Sequence, residues 1–393
     1  MTQSPPSSRA ADALAGQRVL LVSAFDPSAI GNGSSMRARR WCEALAAAAG
    51  AFDAVVVPVV DSDAASAYHR VVLPDDRALV SGAPLLMRPR WRDWMVRAAP
   101  LPPSASRAPA WMGRDLLARL PWRPDLVVAF KMAVAPLAAD LALECQVPLL
   151  VDLDDDEAML EARSGGIHAD ALERLLHGVG DLAAQLTAAS PSDVEALAPR
   201  VTAPVMVAPN CVEVPAAATS AGLVGRVLYV ANFGYGPNRQ SAQWLRREVL
   251  PRVHGLQELA VVGADGQTLG FAAPAVAHGR VADLAPFYRD ALVVACPLLS
   301  GSGTSIKVLE ALAHSRAVVT TSVGARGLGL VPDEHAVVCD APEEFAARLS
   351  ALLAHPAEAA ALGRRGHEWV RANYSAAAGD AAMVSAASAA LVR

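Results

Sequence analysis

Short apolar runs recur along the chain, each bounded by Gly, Pro or Asp. In the first half they are RVLLVSA (18–24), AVVVPVV (54–60), DLVVAF (125–130), PLLVDL (148–153) and the weaker PVMVAP (204–209). In the second half they are RVLYVA (226–231), ELAVVG (258–263), ALVVACP (291–297) and AVVTTS (317–322), with HAVVCD (335–340) a candidate for a last one. The runs are continuous rather than alternating, which is the pattern of parallel strands buried on both faces. Between them lie helical stretches such as SSMRARRWCEALAAAA, NRQSAQWLRREVL and SIKVLEALA. Strand–helix alternation in two successive series predicts an α/β chain of two Rossmann-like, doubly wound domains. The stretch PNCVEVPAAATSAGLVG (209–225) has no period and reads as the connection between them. The expected layout is a loose tail over 1–16, a first domain over 17–210, a second over 211–375, and an Ala-rich helix over 376–393 able to pack back on the first. Ligands in open α/β sheets bind at the carboxyl ends of strands. With two such domains the expected site is a central cleft between them.

A chain of 393 residues is long for one core and suits two. Hydrophobic residues make up 53% and charged residues 19%, which excludes a disordered chain. A net charge of −5 gives no global attraction to nucleic acid. No uninterrupted apolar run reaches the length of a membrane span, and the first residues lack the apolar core of a signal peptide. The five cysteines are scattered with no C-x-x-C pair, as expected of a reducing cytoplasm. More telling, the chain carries 32 Arg but two Lys, Lys131 and Lys307. Where Lys survives such a bias, a compact ammonium on a flexible stem is one explanation; chance survival is the other.

Lys307 lies in PLLSGSGTSIKVLEAL (297–312), where a buried strand runs into a bare glycine loop. Gly301 and Gly303 let a ligand approach the backbone, and Thr304 or Ser305 can cap the helix that follows. The helix start offers free N–H groups and partial positive charge, to which Lys307 adds a full charge. Glu310, three residues on, shares its face and can accept hydrogen bonds from a vicinal diol. Phosphate above and diol below describes a nucleoside diphosphate with its ribose. The plainer alternative is a helix start with a Lys–Glu surface pair. The stretch is neither a Walker A loop nor G-x-G-x-x-G, so ATPase and dehydrogenase readings lack a motif.

The run HGRVADLAPFYRDALVVACPLLSGSGTSIKVLEALAHSRAVVTTSVGARGL (278–328) resembles the signature of the family 4, or group 1, glycosyltransferases of the GT-B fold. GNGSSMRARRWCEAL (31–45), VDLDDDEAML (151–160), ASPSDVEAL (189–197), APNCVEVP (208–215) and VLYVANFGYGPNRQSAQWLRREVLPRV (227–253) are similar to further pieces in the family's order. The resemblance implies a nucleotide-sugar donor held by the second domain, an acceptor held by the first, and transfer with retention. It implies that Glu310 binds the ribose, that Ser302, Gly303, Thr304 and Ser305 lie near the diphosphate or sugar, and that Lys307 neutralises the leaving group. Asn232 and Gly234 would line the second domain's first loop, and Arg280 and Val281 would lie near the base. Many family members carry a Glu eight residues before the ribose Glu, where this chain has Ser302; a subset with G-x-G-T-x-x-K-x-x-E also lacks it. The family's Gly-x-Pro after the signature helix is Ser315-Arg316-Ala317 here, and its hinge Asn-Gly is Asn210-Cys211.

In the first domain Gly31 and Gly33 permit close approach to the donor, or form an ordinary turn. Lys131, ending a strand, is a candidate catalytic cation or a snorkelling surface lysine. The run DLDDD invites a metal reading, but acceptor contact or helix capping by Asp154 and Asp155 is preferred, with no metal and no cofactor beyond the nucleotide-sugar substrate. Residues 85–123 hold four of the seven Trp, eight Arg and two Asp. That composition suits peripheral contact with the inner face of a membrane or a lipid-linked acceptor, or else core Trp beneath a solvated Arg face. The reading is therefore a cytoplasmic retaining glycosyltransferase with a saccharide or lipid-linked acceptor, in polysaccharide or glycolipid assembly, and no nucleic-acid partner. Its rivals are a non-catalytic GT-B binding module and another GT-B reaction such as nucleotide-sugar epimerisation.

Overall fold

The computed structural model describes residues 12–29, 33–57, 69–70, 116–163, 165–215, 222–300 and 303–392. Gly31, Ser302 and most of the Trp- and Arg-rich segment lie outside the described residues. The chain divides into two compact units, one comprising residues up to Pro209 together with Gly379 onward, the other Asn210–Ala378.

In the first unit the elements run β1 (Arg18–Ser23), α1 (Gly33–Ala48), β2 (Ala51–Val56), β3 (His69–Arg70), β4 (Leu126–Phe130), α2 (Ala135–Cys145), β5 (Leu149–Asp154), α3 (Glu157–Arg163), α4 (Ala169–Leu182), β6 (Gln185–Ala188), α5 (Pro191–Leu197) and β7 (Val205–Val207). The strands form one parallel sheet in the order β3-β2-β1-β4-β5-β6-β7. Its continuous apolar strands serve two cores at once. Leu20, Val22, Val127, Ala129 and Val151 pack on one face, and Val19, Leu21, Val128 and Phe130 on the other with Trp41. α4 turns Leu172, Leu175, Leu176 and Val179 inward, the stripe that helical spacing dictates.

The second unit runs β8 (Arg226–Val230), α6 (Gly236–Trp244), β9 (Glu258–Val262), β10 (Ala275–Gly279), α7 (Ala285–Asp290), β11 (Val293–Cys296), α8 (Ile306–Ala313), β12 (Ala317–Thr320), α9 (Ser322–Ala325), β13 (Val337–Val338), α10 (Pro342–Ala354) and α11 (Pro356–Asn373). Its parallel sheet has the order β10-β9-β8-β11-β12-β13. α12 (Ala376–Leu391) buries Met383, Ala386, Ala387 and Ala390 in the core that holds Trp41.

The structure departs from the pattern reading in three strands and at the first residues. β6 carries no apolar run, and β10 carries a short one, AVA. β6 is QLTA, with Gln185 and Thr187 buried because both are hydrogen-bonded. β10 is an edge strand that leaves Val276 and His278 exposed. β3 is two residues long. Residues 12–16, expected in a loose tail, instead bury Leu14 against the α1 side of the sheet, where its carbonyl accepts from Gly50 N.

Both sheets reverse their winding beside the first strand of the unit. The switch points are β1/β4 and β8/β11. The loops at the carboxyl ends of such pairs diverge and leave a crevice, the usual place for a ligand in this architecture.

Candidate functional site

In the second unit the loops after β8 and β11 supply the predicted donor residues. The β8 loop is held by its own polar atoms. Asn232 Oδ1 accepts from Gly234 N at 3.1 Å, and Arg239 Nε donates to Phe233 O at 3.2 Å. A Cβ at Gly234 would stand 3.0 Å from an Asp265 carboxylate oxygen and 3.2 Å from Asn232 Oδ1, so a side chain there would press on both. The β11 loop is tied to α6 by Leu299 N donating to Ser241 Oγ at 3.2 Å. Gly303 then takes φ +61°, the left-handed region open to glycine.

At the start of α8, Ser305 occupies the cap position but makes no capping hydrogen bond, and its buried hydroxyl has no partner. Thr304 does not cap either; its Oγ1 accepts from Asn210 Nδ2 at 2.9 Å. The expectation that one of the two would close the helix start is therefore corrected. The Thr304 hydroxyl is drawn to Asn210 instead, and no side chain caps the first turn.

Lys307 and Glu310 follow on α8. Lys307 Nζ donates to Asn238 Oδ1 at 2.8 Å. Burial lowers the lysine pKa, opposed by Cys296 and Glu310. Glu310 accepts from the buried Tyr288 hydroxyl at 3.2 Å. Burial raises the Glu310 pKa, while the Tyr288 hydrogen bond and Lys307 work against the rise. The Tyr288 ring is stacked on His314 with centroids 4.6 Å apart and planes 7° from parallel, which fixes the hydroxyl that aims the carboxylate. The second unit thus holds two half-buried charges one helical turn apart, each hydrogen-bonded to a neutral group. Arg280 is exposed beyond β10, and Val281 packs on the core beside it.

The first unit treats its lysine differently. Lys131 follows β4 with φ +78° and is buried. Its Nζ lies 3.0 Å from Asp154, 3.4 Å from Asp155 and 3.9 Å from Glu157. Burial works against this ammonium, but the three carboxylates outweigh it and raise its pKa. Its charge is consumed within the unit, and the surroundings carry excess negative charge. Burial, then Asp154, pushes the Asp155 carboxyl up to about 7.

Asp152, part of the run that invited a metal reading, turns into the core. It accepts from Arg37 Nε at 2.7 Å and Arg37 Nη2 at 2.8 Å, from Trp41 Nε1 at 2.6 Å and from Thr187 Oγ1 at 2.8 Å. Among the described residues no group of three or more His, Cys, Asp or Glu side chains is placed to hold a metal ion. Gly33 begins α1. Asn238, Tyr288 and Arg37 went unmarked in the sequence, and Asn210 was marked only as part of the hinge. Nothing local flags Tyr288 or Arg37; Asn238 stands directly after Pro237 in a first helical turn, which is a faint signal.

Comparison with known proteins follows the same lines. Residues 225–355 match the family model described as glycosyl transferases group 1. No curated protein matches the sequence. Among solved structures, the chain is similar to sucrose-phosphate synthase from Thermosynechococcus elongatus, at 18% identity and TM-score 0.66, over 93% of this chain and 96% of that one. It is similar to HepE of Anabaena in complex with UDP, at 12% identity and TM-score 0.66, over 92% and 97%. A glycosyltransferase from Rickettsia africae aligns at 12% identity and TM-score 0.62, over 93% and 96%. HepE has also been solved with UDP-glucose, again at 12% identity to this chain. The chain thus has the two-domain α/β fold of the GT-B glycosyltransferases it is similar to, and residues 225–355 match the group 1 glycosyl transferase model.

Proposed function

We propose that the chain transfers a sugar from a nucleoside-diphosphate donor bound by the second unit, with retention at the anomeric carbon, to a saccharide or lipid-linked acceptor. The observation that carries this reading is Lys307. A half-buried lysine in the first turn of α8 keeps a neutral amide as its hydrogen-bond partner, so an incoming anion meets an unneutralised charge and an uncapped helix start. Both favour diphosphate, and both favour it more as negative charge accumulates on the departing leaving group. Glu310, aimed by Tyr288, takes the ribose hydroxyls as a double acceptor. HepE, solved with UDP and with UDP-glucose, supports a uridine nucleotide as the first donor to try.

In the first unit the acceptor role falls to Asp154 and Asp155. With Lys131 held by carboxylates, this end of the sheet favours hydroxyls over phosphate, so donor phosphate is assigned to Lys307 rather than Lys131. Retention and a place in polysaccharide or glycolipid assembly are what the family resemblance implies, and metal-independent handling of the diphosphate follows the same reading.

The test is thermal unfolding with UDP, GDP, ADP and TDP, each with and without EDTA, on wild type, Lys307→Ala and Glu310→Ala. A ligand at about 100 times its dissociation constant adds about 2.7 kcal/mol, several degrees of melting temperature. One diphosphate shifting wild type, indifferent to EDTA and inactive on both variants, is the expected result. Variants that respond like wild type would overturn the donor assignment. Sugar transfer with the identified donor, with product stereochemistry read by NMR, then tests retention and separates transfer from hydrolysis or epimerisation.

A further inference from the structure

We propose that Asn238 is a positioning residue for Lys307, whose neutral side-chain amide holds the ammonium in place at the donor-phosphate site without neutralising it. The proposal rests on the donor-site reading above and gives the amide that bonds Lys307 a role of its own.

The geometry leaves the amide one orientation. Asn238 Nδ2 donates to Asn232 O at 2.8 Å, while Oδ1 accepts from Lys307 Nζ at 2.8 Å. A flipped amide would set an NH₂ group against an ammonium and a carbonyl against a carbonyl. The residue is itself fixed. It is buried in the first turn of α6, and its own carbonyl accepts from the Tyr229 hydroxyl at 3.2 Å. One side chain therefore joins the loop after β8 to the first turn of α8 and sets where the charge stands.

The two lysines of the chain give the reason for an amide. Lys131 is bonded by carboxylates and its charge is satisfied locally. Lys307 faces the thiol of Cys296, pushed up to about 12 by burial and so neutral, and Glu310 one turn further on, with Asn238 as its hydrogen-bond acceptor. An aspartate at 238 would accept from the ammonium as well. It would also cancel the charge an anion needs, repel phosphate, and confront Asn232 O with an oxygen where a donor is required.

The experiment is calorimetric titration of wild type, Asn238→Asp, Asn238→Ala and Lys307→Met with UDP and with uridine, from about pH 6 to about pH 10. UDP binding to wild type should fall as pH rises through the lowered lysine pKa. Asn238→Asp should weaken UDP by about tenfold or more, leave uridine unchanged, and move the alkaline limb upward. Asn238→Ala, which removes an acceptor from the ammonium, should move the same limb downward. Opposite displacements of one limb are not what a loosened loop produces. If both variants lose UDP and uridine equally with the limb unmoved, or if Asn238→Asp binds UDP like wild type, the positioning role is overturned. If Lys307→Met binds UDP like wild type, the donor-site reading fails and takes this proposal with it.

Discussion

Replacing Asp152 with Asn changes one atom and should cost the first unit a large part of its stability. Asp152 is fully buried and receives four side-chain hydrogen bonds, two of them from Arg37, which is also buried. Both carboxylate oxygens face donors, so either orientation of the new amide puts NH₂ against an N–H or O–H. Arg37 keeps a buried charge whose nearest remaining carboxylate, Asp154 at 3.5 Å, is already shared with Lys131 at 3.0 Å. Removing one partner of such a pair costs about 3–5 kcal/mol, and this residual partner argues for the lower end. At an m-value of about 2–3 kcal/mol/M, a loss of about 3 kcal/mol lowers the urea midpoint of the first unit by about 1–1.5 M. Fluorescence-monitored unfolding, with hydrogen exchange of β4 and β5 amides to assign the transition, measures it. The double variant Arg37→Met, Asp152→Asn should recover at least about 1 kcal/mol, because no unpaired charge is then buried. A single variant costing less than about 1 kcal/mol, or a double variant no better than the single, would refute the ion-pair account.

Two further outcomes are expected. Ser315 ends α8 with φ +59°, its N–H donating to Leu312 O and the next N–H to Ala311 O, a helix end that ordinarily carries glycine. Its buried hydroxyl has no partner, so Ser315→Gly should stabilise by about 1 kcal/mol in thermal unfolding; destabilisation would show that the strain is absent. Burial, then Asp154, pushes the Asp155 carboxyl from an ordinary 3.8 up to about 7. The folded state therefore keeps a proton that the unfolded state gives up earlier, and this group makes stability fall as pH rises from about 4 to about 7. Asp155→Asn should flatten that fall and raise the urea midpoint at about pH 8 relative to wild type; an unchanged slope would remove Asp155 as its source.

The central strands were legible because burial on both faces leaves the unbroken apolar runs VLLV, LVVAF and VVAC. β6 was hidden by the same logic, since Gln185 and Thr187 are buried by bonding rather than by hydrophobicity. The glycine loop, Lys307 and Glu310 could be picked out from residue type and order alone, yet their partners could not. Asn238 lies 69 residues before Lys307 and Tyr288 lies 22 before Glu310, distances at which no local period speaks. The Lys count singled out both lysines but could not say that one would meet carboxylates and the other an amide. The Asp-rich run hid its partners for a related reason. Its first member answers to Arg37, 115 residues away, rather than to its neighbours.

The chain enters the second unit after Pro209 and returns to the first at Gly379. The returning helix, α12, seats Met383 and Ala387 beside Trp41 and Leu45, and Asp380 accepts from Arg40 at 2.6 Å. On the ribosome the first unit is thus made almost complete and then waits, one face of its core open, while the whole second unit is synthesised. A chain released before about residue 380 would carry a finished second unit and a first unit with bare apolar surface, the kind of species that aggregates or is captured by chaperones. Completion of the sixteen-residue helix α12 is then the step that closes the core of the first unit, and its timing is written into the order in which the parts are made.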